Sequence, residues 1–262
     1  MRTGRMLAAA AIWLAIGSAA WAGVATKEFD YAEGDTVLQG FLAWDDAAKG
    51  KRPGVIVVHE WWGHNEHARN QARRLAKAGY VALALDLYGK GKVATHPADA
   101  EAFMKEATQD PARVTARFNA ALDRLRKEPH VDPEKIAAIG YCFGGAVALG
   151  MARAGADLDA VASFHGALAT ATPAAKGQVK ARILVMTGAA DPMVPAEQVE
   201  AFRKEMTDAG AKFEVVSYPG VKHSFTNPHA HETGMDALAY DAGADTKSWA
   251  RMLALFKDVF RE

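Results

Sequence analysis

Cysteine is nearly absent: among 262 residues only Cys142 carries a thiol. A disulfide framework within the chain is therefore excluded, and so is an intramolecular redox pair. Net charge is lacking too, since 31 Lys and Arg offset 31 Asp and Glu. That balance gives no electrostatic reason to bind nucleic acid or an anionic membrane surface. No apolar run reaches the roughly 20 residues that a spanning helix needs. The nine His include His59, His64 and His67 near Glu60, and the pair His229 and His231. None makes a zinc spacing such as H-E-x-x-H, so neither a metal nor a cofactor is expected. Repeats, low-complexity tracts and Pro/Gly/Ser linkers are missing as well, which argues for one domain rather than two.

What is present begins with "MRTGRMLAAAAIWLAIGSAAWAG". Arg2 and Arg5 precede an apolar run from Met6 to Ile16, broken at Gly17 and Ser18, and then Ala20-Trp21-Ala22. This is the layout of a secretory signal peptide cleaved after Ala22, with no membrane anchor left behind. It predicts a domain over 23–262, located in the periplasm or secreted. An unpaired cysteine in an oxidising compartment is an intermolecular partner, a reactive thiol or a small buried hydrophobe.

Downstream, "KEFDYAEGDTVLQGFLAWDD" alternates on either side of "EGD", as an antiparallel hairpin does. "RPGVIVVHE", "YVALALDLYG", "KIAAIGY", "LDAVASFHG", "ARILVMTGAAD" and "KFEVVSYPG" read as strands buried on both faces. Between them lie helical stretches at "NEHARNQARRLAKAGY", "PADAEAFMKEATQ", "DPARVTARFNAALDRLRKE", "FGGAVALGMARAG" and "PAEQVEAFRKEMTDAG". An amphipathic helix, "GADTKSWARMLALFKDVFRE", closes the chain. Strands alternating with helices specify an α/β fold: a mostly parallel sheet covered on both faces, with the hairpin in front. Ligands gather at the carboxyl ends of such strands, which here carry His59-Glu60, Asp86, Cys142, His165 and Asp191.

Cys142 sits in "IAAIGYCFGG", a G-x-C-x-G form of the strand-to-helix nucleophile elbow. Gly140 and Gly144 let strand and helix approach closely while the central side chain points into the cleft. The helix start that follows favours thiolate over thiol. Such an elbow needs an acid and then a histidine after later strands. Asp191 in "TGAADPMV" and His223 in "YPGVKHSF" come in that order. Cys142 is then the nucleophile, His223 the proton carrier and Asp191 the residue that orients the imidazole. Two backbone N–H groups, those of Phe143 and Trp61, are expected to form the oxyanion hole. Trp61, Trp62, Tyr88 and Phe143 suggest an aromatic-walled pocket.

At these residues the sequence resembles the dienelactone hydrolase family, or carboxymethylenebutenolidases, α/β-hydrolases with a cysteine nucleophile. The matching segments run from Val55 to Pro228 and include "HEWWGHNEHARNQARRLAKAGYVALALDLYGKGKV", "GYCFGGAVALGMA", "ILVMTGAADPMVP" and "YPGVKHSFTNP". The resemblance implies an α/β-hydrolase fold and a further role for Glu60, a carboxylate that helps deprotonate the cysteine. It also implies two arginines gripping a substrate carboxylate. In their neighbourhoods stand Lys90, after "DLYG", and Asn227, in "HSFTN", which with Tyr88 and Trp62 are the candidate substrate-binding residues. The resulting expectation is an exported, cofactor-independent hydrolase cleaving a small ester or lactone through an acyl-thioester. Its rivals are a noncatalytic α/β-hydrolase-like binding protein and a metal hydrolase.

Overall fold

The computed structural model describes Trp21 and residues 23–261. Apart from Trp21, the segment read as a signal peptide lies outside the described residues. Eight strands form one sheet in the order β1-β2-β4-β3-β5-β6-β7-β8. The hairpin expected around "EGD" is β1 (Val24–Glu33) and β2 (Thr36–Asp45), antiparallel, and β2 also runs antiparallel to β4 (Val81–Ala84). β3 (Arg52–Val58), β4, β5 (Val131–Tyr141), β6 (Ala160–Phe164), β7 (Arg182–Gly188) and β8 (Phe213–Tyr218) are mutually parallel.

The continuous apolar runs are explained by two helical layers. Along β3, Ile56 and Val58 face one cluster, whereas Val55 and Val57 face the other. β5 repeats the alternation with Ile136 and Ala138 against Ala137 and Ile139. The first cluster is closed by α3 (Pro111–Arg126), α4 (Phe143–Arg153) and α5 (Ala196–Asp208), through Phe118, Leu149 and Phe202 among others. The second is closed by α1 (Glu66–Lys77) and α6 (Ala242–Val259), through Leu75 and Phe256. A strand buried on both sides has no polar face to show, so its sequence reads as an unbroken hydrophobic run.

The break expected at Asp110-Pro111 separates α2 (Pro97–Thr108) from α3. Asp110 caps α3 by accepting the Ala112 N–H at 3.0 Å. β4 is shorter than the apolar stretch suggests and stops at Ala84, so Asp86 lies in the loop beyond it. There its carboxylate accepts the N–H groups of Tyr88 and Gly89 and fixes the turn. The sheet changes winding direction at β3, with β4 on one side and β5 on the other. The carboxyl ends of β3 and β5 therefore open onto one crevice.

Candidate active site

Cys142 occupies the junction of β5 and α4 with φ 52° and ψ −117°. A non-glycine residue in that region costs on the order of 1–3 kcal/mol and persists only where its surroundings impose it. The imposition is visible on both sides. A Cβ at Gly140 would lie 2.0 Å from the Gly144 carbonyl oxygen, and one at Gly144 would lie 2.4 Å from the Val58 carbonyl oxygen. Strand, turn and helix thus meet at distances only glycine allows, and the bend at Cys142 follows. The Cys142 N–H is shared between Phe164 O at 3.0 Å and His165 Nδ1 at 3.1 Å.

Asp191 lies beyond β7 and His223 beyond β8, as the sequence order requires. Both are buried, and His223 Nδ1 is 2.7 Å from Asp191 Oδ2. The other carboxylate oxygen, Oδ1, accepts the Met193 N–H at 2.8 Å, which holds the acid in place. The buried Nε2 of His223 makes no conventional hydrogen bond among the described residues. It has Cys142 as its interacting neighbour, and the imidazole pKa reflects this. Burial pulls the pKa down, but Cys142 and Asp191 beside the ring outweigh it and raise the value to about 10. The ring is thus set between the Cys142 sulfur and the Asp191 carboxylate.

The loop carrying His223 is itself anchored. His223 N–H donates to Ala237 O at 3.2 Å, and Ala239 N–H donates to His223 O at 3.0 Å. Leu238, between those two partners, forms part of the cavity wall.

Glu60, past the end of β3, is buried and doubly held. Ser224 Oγ donates to its Oε1 at 2.5 Å, and Asn227 Nδ2 donates to its Oε2 at 2.8 Å. Ser224, next to the histidine, has φ 57°. His59 fastens the same strand end. Leu87 N–H donates to His59 Nε2 at 3.1 Å, so Nδ1 carries the proton and donates to Glu60 O at 2.6 Å. Burial holds the His59 pKa below its ordinary value, consistent with a neutral ring.

A cavity of about 270 Å³ opens over the sulfur, lined by Cys142, His223 and Ser224 together with Trp61, Met104, Phe143, Ala146, Ala167, Met193, Val194 and Leu238. Trp61 and Phe143 reach it, and their backbone N–H groups have no acceptor among the described residues. A larger groove of about 440 Å³ lies at the amino ends of β5, β6 and β7. It is walled by charges such as Arg126, Asp157, Arg182 and Asp258, and it contains no nucleophile.

Residues 38–260 match the family model described as "Dienelactone hydrolase family". The chain belongs to the dienelactone hydrolase family. It is a dienelactone hydrolase-like hydrolase, and the sheet order agrees with the α/β-hydrolase fold of its neighbours. Among relatives, "Protein usf" of Aquifex pyrophilus is 30% identical over 234 residues, covering 87% of this chain and 96% of that protein. A crystal structure of a dienelactone hydrolase-like promiscuous phosphotriesterase from metagenomic libraries is 39% identical with a TM-score of 0.85. The match covers 90% of this chain and 99% of that one. A structure named m3DLH is 40% identical with the same TM-score, over 91% and 99% of the two chains.

Four of the residues expected to bind substrate in this family member do not line the cavity. Lys90 is outside, paired with Asp30 at 2.6 Å on the surface. Asn227 is spent on Glu60. Trp62 is buried in a separate cluster with Ala94 and Leu238. Tyr88 lies beneath the wall, donating its hydroxyl to Trp61 O at 3.0 Å and stacking on Phe143. Aromatic residue type identified the right neighbourhood but could not separate wall from support.

His64, just before α1, is buried, and His67 within it is half-buried. Burial, reinforced by nearby His59 and Arg69, pushes His64 down to about 3, and burial likewise lowers His67. Among the described residues no group of His, Cys, Asp and Glu is arranged to hold a metal ion. His165 was legible only as a strand end. Its Nδ1 accepts from Cys142 N–H, so Nε2 carries the proton and donates to Thr226 Oγ1 at 2.8 Å. Burial, with cationic His223 nearby, holds the His165 ring well below its ordinary pKa.

Proposed function

We propose that this hydrolase cleaves a small ester or lactone through a thioester on Cys142. The observation that carries the reading is the buried His223, bonded to Asp191 on one nitrogen and facing Cys142 with the other. The thiolate sulfur attacks the carbonyl carbon, and the carbonyl electrons move onto oxygen, where the N–H groups of Trp61 and Phe143 receive them. The tetrahedral centre collapses with loss of the alkoxide, which takes the proton from His223 Nε2. Water then attacks the thioester carbonyl, giving its proton to His223, and the C–S bond breaks to restore the thiolate. Asp191 holds the imidazole tautomer and balances its charge at each stage. Glu60 adds a fixed negative charge beside the loop that presents the base.

The test is mass spectrometry of the protein quenched during turnover of an activated ester. An acyl adduct on Cys142 is expected, with turnover abolished in Cys142→Ala and in His223→Ala. Full turnover in Cys142→Ala would reject the mechanism.

A second reading draws on the metagenomic relative described as a promiscuous phosphotriesterase. The same thiolate can attack phosphorus, so slow cleavage of an aryl phosphotriester, lost in Cys142→Ala, is expected beside the ester activity. Export is proposed on the sequence of residues 1–22. N-terminal sequencing of the protein from a periplasmic fraction should then begin at Gly23.

A further inference from the structure

The wall of the cavity indicates which esters can enter it. Beyond the reacting groups it is made of apolar side chains, chiefly Met104, Phe143, Ala146, Met193, Val194 and Leu238. No Lys or Arg lines it among the described residues. Cations close along the chain are engaged elsewhere, among them Lys105, next to Met104, which pairs with Glu101 at 2.5 Å on the surface. Lys90 pairs with Asp30 at 2.6 Å, Lys92 with Glu106 at 2.7 Å, and Lys222 donates to Asp236 O at 2.7 Å on the surface. The charge already inside is unfavourable to a second anion. His223 lies between Cys142 and the Asp191 carboxylate, and the Glu60 carboxylate lies beyond Ser224.

The geometry points to a site selective for uncharged esters or lactones with an apolar acyl or aryl arm, excluding those whose arm bears a carboxylate. An anionic arm would leave water for a wall that offers no counter-charge and no row of donors. Taking a charge out of water without a partner is among the most costly steps in recognition. A neutral arm instead gains by covering that wall. This inference rests on the hydrolytic reading above, but one of its tests does not require turnover.

Two matched substrate pairs place the charge on either arm: methyl 4-acetoxybenzoate against 4-acetoxybenzoate, and p-nitrophenyl hexanoate against mono-p-nitrophenyl adipate. After correction for spontaneous hydrolysis, kcat/KM is expected to favour the neutral member by about a hundredfold in at least one pair. Equal rates within both pairs, or preference for the anions, would overturn the substrate class while leaving the thioester mechanism standing. The second measurement is alkylation of Cys142, the only thiol in the chain, by iodoacetanilide and by 4-(iodoacetamido)benzoate. These share one electrophile and differ in the ring carboxylate. The neutral-to-anionic rate ratio should exceed that of a small free thiol by roughly tenfold or more. A ratio equal to that of the free thiol would overturn the inference even if no ester were turned over. A raised ratio without ester turnover would uphold the selectivity of the cavity and sink the hydrolytic reading instead.

Discussion

Ser224 Oγ and Glu60 Oε1 lie 2.5 Å apart, joining the residue after His223 to the end of a strand 164 positions earlier. The bond crosses from the β8 loop to the β3 loop and, with Asn227, supplies donors to both oxygens of a buried carboxylate. Removing one donor from a buried acceptor costs about 1–3 kcal/mol. Ser224→Ala is therefore expected to lower the free energy of unfolding by about that much. Ser224→Gly relaxes the φ of 57° and should lose less. Denaturant unfolding checks both, and a Ser224→Ala variant as stable as the wild type would show that the hydroxyl is idle.

The charge on His223 depends on the sulfur. Its pKa stands at about 10 because Cys142 and Asp191 overcome burial. Cys142→Ala removes one of those partners and should bring the His223 pKa down, as followed by NMR titration of its ring protons. The sign for stability follows from the same shift. A pKa raised above the ordinary value of about 6.5 stabilises the fold fully below that pH, and the contribution disappears as pH rises through about 10. The stability of the wild-type protein should fall across that interval more than that of Cys142→Ala.

The glycines of the elbow can be set against one outside it. A methyl at Gly140 meets the Gly144 carbonyl oxygen at 2.0 Å, whereas at Gly150, in α4, nothing lies within 4 Å. Gly140→Ala should cost about 3 kcal/mol or fail to fold. Gly150→Ala should raise stability by about 0.5–1 kcal/mol through helix propensity. Thermal unfolding distinguishes the two.

His165 is expected to act through Cys142 rather than on substrate. Its Nδ1 helps fix the Cys142 N–H, and its φ is 44°, a region where Asn is tolerated better than most residues. His165→Asn should keep more activity than His165→Leu, with the loss in kcat rather than KM and on the order of tenfold for Leu. Thr226→Val removes the partner of Nε2 and should shift the same parameter in the same direction. A change confined to KM would argue instead for contact with substrate.

How much of this was legible in the sequence depended on whether the signal was local. Cys142 announces its bend through glycines two residues away on either side, and the apolar runs of β3 and β5 state their double burial directly. Asp191 and His223, which pair in the fold, could be put forward together because the elbow fixes chain order and strand ends fix place. The remaining roles depend on side-chain direction over long separations. Nothing near Asn227 shows that its amide is used up on Glu60, or that Lys90 turns outward to Asp30. Tyr88 and Trp62 carry the same apolar signal as Trp61 and Phe143, yet they lie behind the wall rather than in it. His64 and His67 look polar on paper, and only the folded chain shows His64 buried just before α1 and His67 half-buried within it.

The short segment from Ala237 to Ala239 grips the backbone of His223 on both sides while Leu238 faces the chamber. Anyone reshaping the enzyme for bulkier molecules would find that trimming Leu238 also slackens the hold on His223. Met104 and Met193 stand on other elements, so selection for new scope should accumulate changes there first and reach Leu238 late.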